Sequence, residues 1–541
     1  MKKKIMIFSI GLMILLRLLI YYRYLAGREV YFYSDDAVYA ILSRRFYNFD
    51  FLHAFHPYWS PGFPIATAIL YLFIRSWENA QFLVSVLSAT SLIGILYWFF
   101  KRYSYFFAFI VAFIAAFAAS MQILVVSGGI TEPLYIAFLW FAICVSWLAI
   151  TKQKRKYYIY SGLLFGLAYL TRTEAVAFLA PFILIATLIQ IRKSKRIKKS
   201  INPILKTIGF TVLVFVAINL PYIVVQSAQI GRFTISGKYA FYGTGPFYAL
   251  EKDRPTTVVQ DVWSTDYPDF HSPYFDPARA RKFMIMYFKN GTITQGAIKQ
   301  FEQSFQTYKS INTKNFFTGY GLYLALFGLF LGLISKRFRT MTLYFSFLWV
   351  CGQIWVNTLM SSHYRYLVYA LPFFYYLQGL GILYSGKILV KILKSPAGYL
   401  IPIFLLADFF IQNVDPKTIT TTQPLGGNTD HVRIGEWIKS QGIDVFGGRM
   451  EAISFYSGAK LVYMPSETPE EIVNYMKRWG VEYLLARPTE TGYAHVAPIA
   501  DPEYKNPDLE LFHRFEDGSL VWKVKLTEKE RVDNERVKRS R

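Results

Sequence analysis

The sequence predicts a polytopic α-helical membrane protein carrying a small soluble α/β domain at its C-terminal end. Three observations predict it. Of 541 residues, 54% are hydrophobic and only 17% charged, with mean hydropathy +0.27, a balance that soluble domains do not show. The apolar residues gather in segments of about 15–25 residues, close to the ~20 needed to cross a bilayer as a helix. The net charge of +24 is held largely in short basic runs beside those segments. That pattern reads as membrane topology and not as a nucleic-acid surface.

The first segment, about 5–25, follows Lys2–Lys4 and ends in Tyr21, Tyr22, Arg23 and Tyr24. It has the basic start of a signal peptide but no clean small-x-small cleavage site, so it reads as an uncleaved first helix with its N-terminus inside. The remaining segments are about 61–76, 79–100, 104–126, 134–150, 157–171, 173–191, 203–226, 315–335, 340–360, 364–384 and 397–412. The runs Lys101–Arg102, Lys152–Lys156, Arg192–Lys199, Lys336–Arg339 and Lys387–Lys394 all fall on the inside face if 61–76 does not cross. The expectation is about eleven crossings, with 61–76 a partial or peripheral helix behind Pro57, Pro61, Gly62 and Pro64. Loops 26–60 and 227–314 and everything from 413 onward then lie outside. The chain divides into a membrane module, 1–412, and an extracytoplasmic domain, 413–541.

That tail changes in composition. DVFGG, MEAISFYSG, KLVYMP, TPEEIVNYMKRWG and EYLLAR alternate strand and helix patterns. Thr468 followed by Pro469, Glu470 and Glu471 is a helix start. No glycine-rich phosphate loop is present. Cys144 and Cys351 both lie in apolar segments, which offers neither a disulfide framework nor a zinc spacing.

Five groups of polar residues interrupt the outside ends of the apolar segments. Ser34, Asp35, Asp36 and Tyr39 open a helix, where two acids equally suit the helix dipole and a catalytic role. His56 and Trp59 stand in HPYWSPGFP, which reads as an interfacial aromatic belt or a rigid loop beside the acids. Glu132 precedes Pro133 at a helix start. Arg172 and Glu174 break a long apolar stretch, as an ion pair or a site; each charge at mid-membrane would cost ~2.5–3.5 kcal/mol, which favours a turn at the outside surface. His363 and Arg365 open a further outside helix end, where snorkelling is the plain explanation. Together they set carboxylates, arginines and histidines on one face of the membrane.

The order of these motifs resembles the GT-C superfamily of polyprenyl-phosphate-sugar-dependent glycosyltransferases. The branch is glycosyltransferase family 39, which holds the protein O-mannosyltransferases and the lipid A aminoarabinose transferase. The matching residues are Asp35, Asp36, Tyr39 and Ala40; His56, Pro61, Gly62 and Pro64; Glu132–Pro133; Gly166–Leu167–Ala168 with Leu170–Thr171–Arg172 and Glu174; and Arg365–Tyr366 with Leu371–Pro372. The acidic pair is Asp-Asp where the family usually has Asp-Glu.

The resemblance implies a multi-pass plasma-membrane enzyme transferring a sugar, with inversion, from a polyprenyl-phosphate donor to a hydroxyl, amine or phosphate acceptor on a lipid, glycan or protein. Asp35 would be the general base, with Asp36 second and Glu132 orienting the acceptor or a cation. His56, Arg172, His363 and Arg365 would hold the phosphate, and Trp59, Glu174 and Tyr366 would line the site. No organic cofactor is implied, and a divalent cation is left open. Aromatic residues of the second outside loop (Tyr239, Phe241, Tyr242, Trp263 and Tyr267) would stack on sugar or lipid. The competing classes are a transporter or flippase of lipid-linked sugar, with charges near mid-membrane and paired broken helices, and a non-catalytic binder.

Overall fold

The computed structural model describes residues 2–25, 30–32, 34–126, 130–197, 202–231, 233–237, 320–359, 367–414, 425–426, 429–464, 468–490, 496–528 and 530. In chain order the helices of the membrane part, with two that belong elsewhere, are α1 (Lys2–Leu25), α2 (Asp35–Tyr47), α3 (Phe51–Ala54), α4 (Gly62–Ile74), α5 (Trp77–Phe100), α6 (Tyr105–Phe117), α7 (Ala119–Val126), α8 (Glu132–Lys152), α9 (Arg155–Thr171), α10 (Val176–Ile197), α11 (Asn202–Ile230), α12 (Gly321–Ile334), α13 (Arg339–Leu359), α14 (Leu371–Leu393) and α15 (Leu400–Asn413). Every apolar segment read from the sequence overlaps at least one of these, though 364–384 meets a helix that runs on to Leu393, and 104–126 is a pair, α6 and α7, bent by 42°. Among the described residues four helices are long and apolar enough to cross a membrane, or five if the bent pair is one span.

Two compact units organise these elements. The first comprises Met1–Glu29, Ser60–Val224 and Met284–Leu425. Its outer faces expose large apolar side chains, among them Phe8, Phe73, Leu213, Tyr323 and Phe404, as a lipid-facing surface must. Between its helices the approach is set by small residues. A Cβ on Gly328 of α12 would overlap the Leu377 carbonyl of α14, the close backbone contact through which helices associate when hydrophobic burial gives no drive between them. Helix α4 has 13 residues, about 20 Å at 1.5 Å per residue, short of the ~30 Å hydrocarbon thickness. Its start is pressed against the end of α9: a Cβ on Gly62 would stand 2.8 Å from the Leu170 carbonyl carbon and 2.9 Å from the Thr171 nitrogen. That contact explains why the Pro-Gly-x-Pro string needs glycine there.

The second unit comprises Val30–Trp59, Val225–Phe283 and Gly426–Arg541. It therefore joins the first outside loop, with α2 and α3, to the C-terminal residues. Its centre is a five-stranded mixed sheet. Strands β1 (Val445–Gly448), β2 (Lys460–Tyr463), β3 (Tyr483–Ala486), β4 (Leu509–Arg514) and β5 (Leu520–Val524) take the order β2-β1-β3-β5-β4. Pairing is parallel for β1 with β2 and β3, and antiparallel across β3-β5-β4. Helices α16 (Thr429–Ser440), α17 (Glu451–Ser457) and α18 (Pro469–Arg478) complete it. Because strand side chains alternate in direction, Leu461, Leu485 and Val521 join Ile434, Ile438 and Ile453 in one core, and Val462, Leu484 and Trp522 join Ile472, Val473 and Met476 in the other.

The helix start read at Thr468 is a full capping box: the Thr468 side chain accepts from the Glu471 N–H, and the Glu471 side chain accepts from the Thr468 N–H. The β4–β5 hairpin was not anticipated. Its signal is Asp517–Gly518, with Gly518 at φ +82° and the Asp517 carboxylate accepting from the Ser519 N–H at 3.0 Å.

Replacing Gly328 by Leu is expected to cost on the order of 1–3 kcal/mol through overpacking against the Leu377 carbonyl. Thermal unfolding of the detergent-purified chain, followed by loss of the monodisperse peak, checks this; an unchanged midpoint would contradict the close α12–α14 approach.

Candidate active site

Helix α2 begins on the acidic pair, and the two aspartates are not equivalent. Ser34 occupies the N-cap position but makes no side-chain cap bond. Asp36 does that work: its Oδ1 accepts from the Ser34 N–H at 2.6 Å and from the Ala37 N–H at 3.0 Å. Asp36 is buried and Asp35 is half-buried. One carboxylate of the pair thus takes the Ser34 N–H and shares the Ala37 N–H with the Ser34 carbonyl.

The HPYW string folds about its histidine. His56 is buried, and its Nδ1 accepts from the Tyr58 N–H at 3.1 Å and the Trp59 N–H at 3.3 Å. A ring whose Nδ1 accepts carries its proton on Nε2, so His56 offers a single N–H donor. Trp59 meets Tyr39 edge-on, centroids 5.4 Å apart. This contact joins the acidic motif to the His-Pro motif through Tyr39.

The rest of this unit holds α2 from the other side. Phe32, just ahead of the acids, lies edge-on to Phe455 at 4.8 Å and stacks on Tyr456 at 6.1 Å. Its N–H donates to the Tyr456 hydroxyl at 3.1 Å. Further along α2, the Arg44 guanidinium lies 5.3 Å from the Phe455 ring centre. The His431 ring is also buried here, with Nδ1 3.4 Å from the Phe32 carbonyl and Nε2 2.5 Å from Arg487 Nη1. Burial and then the adjacent Arg487 push its pKa down to about 4, so at neutral pH the uncharged ring donates to Phe32 through Nδ1 and accepts from Arg487 through Nε2.

Glu451, the first residue of α17, is buried and accepts from the Tyr463 hydroxyl. Its pKa is raised to about 7: burial is the largest cause, the Tyr463 hydrogen bond opposes it, and the charges of Asp35 and Asp36 add to it. Burial and the Glu451 charge push the Tyr463 phenol well above its ordinary range. Sequence reading missed this group. An acid at a helix start reads as a dipole partner, and nothing local marks it as buried.

Three other predicted residues form one cluster in the membrane unit. Arg172, at the C-cap of α9 with φ −152°, donates to Glu132 at 2.6 Å and to Glu174 at 2.9 Å. Glu132 opens α8 and Glu174 sits in the 3-10 turn Thr173–Ala175. All three are buried, with side-chain exposures of 8%, 0% and 6%. Charge-assisted bonds of this kind compensate burial only when geometry is good. With all three ionised the cluster carries one net negative charge, so a phosphate approaching Arg172 would have to displace a carboxylate.

His363, Arg365 and Tyr366, with the aromatic residues Tyr239, Phe241, Tyr242, Trp263 and Tyr267, lie outside the described residues. Among the described residues no cluster of three or more His, Cys, Asp or Glu is placed to hold a metal ion.

These elements define a polytopic membrane protein of the GT-C fold. Residues 56–222 match the model of the dolichyl-phosphate-mannose-protein mannosyltransferase family. Among solved structures the chain is similar to ArnT from Cupriavidus metallidurans in the apo state, with 12% identity, 95% of this chain and 97% of that chain covered, and TM-score 0.53. It is similar as well to ArnT bound to undecaprenyl phosphate, with 14% identity, the same coverage and TM-score 0.52. The archaeal oligosaccharyltransferase AglB from Archaeoglobus fulgidus, in complex with an inhibitory peptide and a dolichol-phosphate, matches at 10% identity over 88% of this chain and 69% of that chain, TM-score 0.52. No curated protein matches in sequence. The chain thus shares the GT-C fold of these structures, and its residues 56–222 carry the likeness to the mannosyltransferase family.

Arg172→Met strands two buried carboxylates and is expected to cost about 3–5 kcal/mol, whereas Glu132→Gln leaves the Arg172–Glu174 pair intact and costs less. Unfolding midpoints of the two variants give the order; equal midpoints would show that the cluster does not hold this region together.

Proposed function

We propose that the protein transfers a sugar, with inversion, from a polyprenyl-phosphate donor to an acceptor hydroxyl on the extracytoplasmic face of the membrane. Asp35 is the general base. The reading rests above all on one observation: of the two acids opening α2, Asp36 is engaged by the backbone through Oδ1 and buried, while Asp35 is half-buried. The GT-C fold and the mannosyltransferase match over 56–222 supply the reaction class. The lipid phosphates seen with ArnT and AglB supply the donor class.

The acceptor oxygen attacks the anomeric carbon as its proton passes to Asp35. The sugar ring passes through an oxocarbenium-like state, which nearby carboxylates stabilise. The phosphate leaves with the bonding electrons. A phosphate monoester has a second pKa of ~6, so it departs without a strong general acid but needs donors for its growing charge. Arg365 and His363 take that role, with His56 contributing its Nε2 proton. Arg172 acts by ordering Glu132 and Glu174, and Glu132 orients the acceptor. The N-terminus lies in the cytoplasm.

Membranes containing the protein should transfer radiolabelled sugar from undecaprenyl-phosphate-linked hexoses or pentoses to endogenous acceptors. Asp35→Asn should lower the rate by about 10²–10⁴ in a protein that still purifies as a single species. Asp36→Asn should act chiefly by loosening the start of α2. Full transfer by the Asp35→Asn protein sinks the assignment.

A further inference from the structure

Glu451 is the buried acid that the mechanism above leaves unused. It lies in the same compact unit as the acidic pair, at the first position of α17. That helix is fastened to the region of α2 by the Phe32–Phe455 and Phe32–Tyr456 ring contacts, by the Phe32 N–H to Tyr456 bond and by Arg44 over Phe455. Two facts set it apart from a structural cap. It is 6% exposed and its carboxylate is turned to the Tyr463 hydroxyl, which donates to it. The Phe32 and Arg44 contacts also hold its helix against the one that opens on Asp35 and Asp36, whose charges raise its pKa, and like charges held together do not all ionise at once.

We propose that Glu451 is a positioning residue of the transfer reaction, facing the Asp35–Asp36 pair from α17 and taking up the proton that Asp35 draws from the acceptor. The inference rests on Asp35 being the base. The steps balance without a further reactant. The acceptor oxygen bonds to the anomeric carbon, the bond from that carbon to the phosphate oxygen breaks, and its electron pair stays on phosphate. The acceptor proton goes to the Asp35 carboxylate and then to the Glu451 carboxylate, and leaves to solvent or product phosphate before the next turnover. The Tyr463 hydroxyl from β2 donates to Glu451, the charges of Asp35 and Asp36 from α2 act on it, and Arg449 ahead of its own helix acts on Tyr463. The tail thereby supplies a working part of the site.

The sign follows from the roles. Glu451 must be deprotonated to receive, so the competent fraction falls as pH drops through its pKa of about 7. Tyr463 lowers that pKa by donating to the carboxylate, and Asp35 raises it by its charge.

The test uses the full-length protein in detergent and two readouts. The first is the infrared band of protonated carboxyl groups followed against pH. A component titrating near neutrality should vanish in Glu451→Gln, move to lower pH in Asp35→Asn, and move to higher pH in Tyr463→Phe. The second is the pH–rate profile with the undecaprenyl-phosphate-linked sugar. Glu451→Gln should move the acid limb down by about one pH unit or more and lower the maximal rate roughly tenfold, with donor KM unchanged. Tyr463→Phe should move the limb up.

A midpoint that does not move in Asp35→Asn shows that the two acids are uncoupled and overturns the proposal, whatever the rates. An unmoved acid limb in Glu451→Gln, with Asp35→Asn inactive, overturns the proposal and leaves Asp35 as base. Full activity of Asp35→Asn removes the base assignment and the proposal with it. If Glu451→Gln does not fold, the opposite movements expected of Asp35→Asn and Tyr463→Phe decide.

Discussion

The start of α2 is the constraint on which the site is built. A helix opens with N–H groups short of partners, and here Asp36 turns back to accept from the Ser34 N–H and to share the Ala37 N–H with the Ser34 carbonyl. That single act makes two chemically identical neighbours different. Asp36 becomes part of the fold, buried with its Oδ1 committed, and Asp35 remains half-buried beside it. Everything that fixes α2 then fixes the Asp35 carboxylate as well: the Tyr39–Trp59 contact on one side, and the Phe32, Phe455 and Tyr456 rings on another. The general base proposed at Asp35 must meet an acceptor hydroxyl within hydrogen-bond reach, which calls for such a rigid mount.

The same economy runs through the other charges. Glu132 is the first residue of α8, Arg172 follows the last residue of α9, and Glu451 is the first of α17. Helix ends are the places in a membrane protein where a charge costs least, because the dipole and the unmet backbone groups favour it there. A transporter would set its charges at mid-helix, on broken helices. Arg17 and Asp408 depart from this pattern: Arg17 is buried within α1 with its guanidinium against the Tyr21 ring and hydroxyl, and Asp408 within α15 accepts from the Tyr320 hydroxyl.

How much of this was legible in the sequence depends on whether the signal is local. Apolar length and composition located the helices of the membrane unit, and Thr468 with Glu471 marked a helix start, because each is decided within a few residues. Gly62 was visible as part of a motif, but its reason, the approach of Leu170 and Thr171, is a contact across more than a hundred residues. The inequality of Asp35 and Asp36 was hidden for a different reason. Both suit a helix start equally, and only the observed direction of one side chain separates them. Arg172 was readable as an ion-pair candidate, yet its double engagement by Glu132 and Glu174 required α8 and α9 side by side.

Glu451 was the least legible residue, and its case shows what a sequence hides about a site. Read alone, MEAISFYSG is a short helix with an acid at its start. Its meaning comes from burial and from two aspartates more than four hundred residues earlier, brought into one unit by the docking of Phe32. Burial raises a carboxyl pKa by removing water, neighbouring carboxylates raise it by repulsion, and a donated hydrogen bond lowers it. All three act on Glu451, and their balance leaves its pKa close to neutral. A carboxyl in that range exchanges protons readily near neutral pH, which an ordinary surface glutamate does not. An acid so tuned, in the same compact unit as the helix start that carries two more, connects the fold of the tail to the chemistry proposed for the first loop.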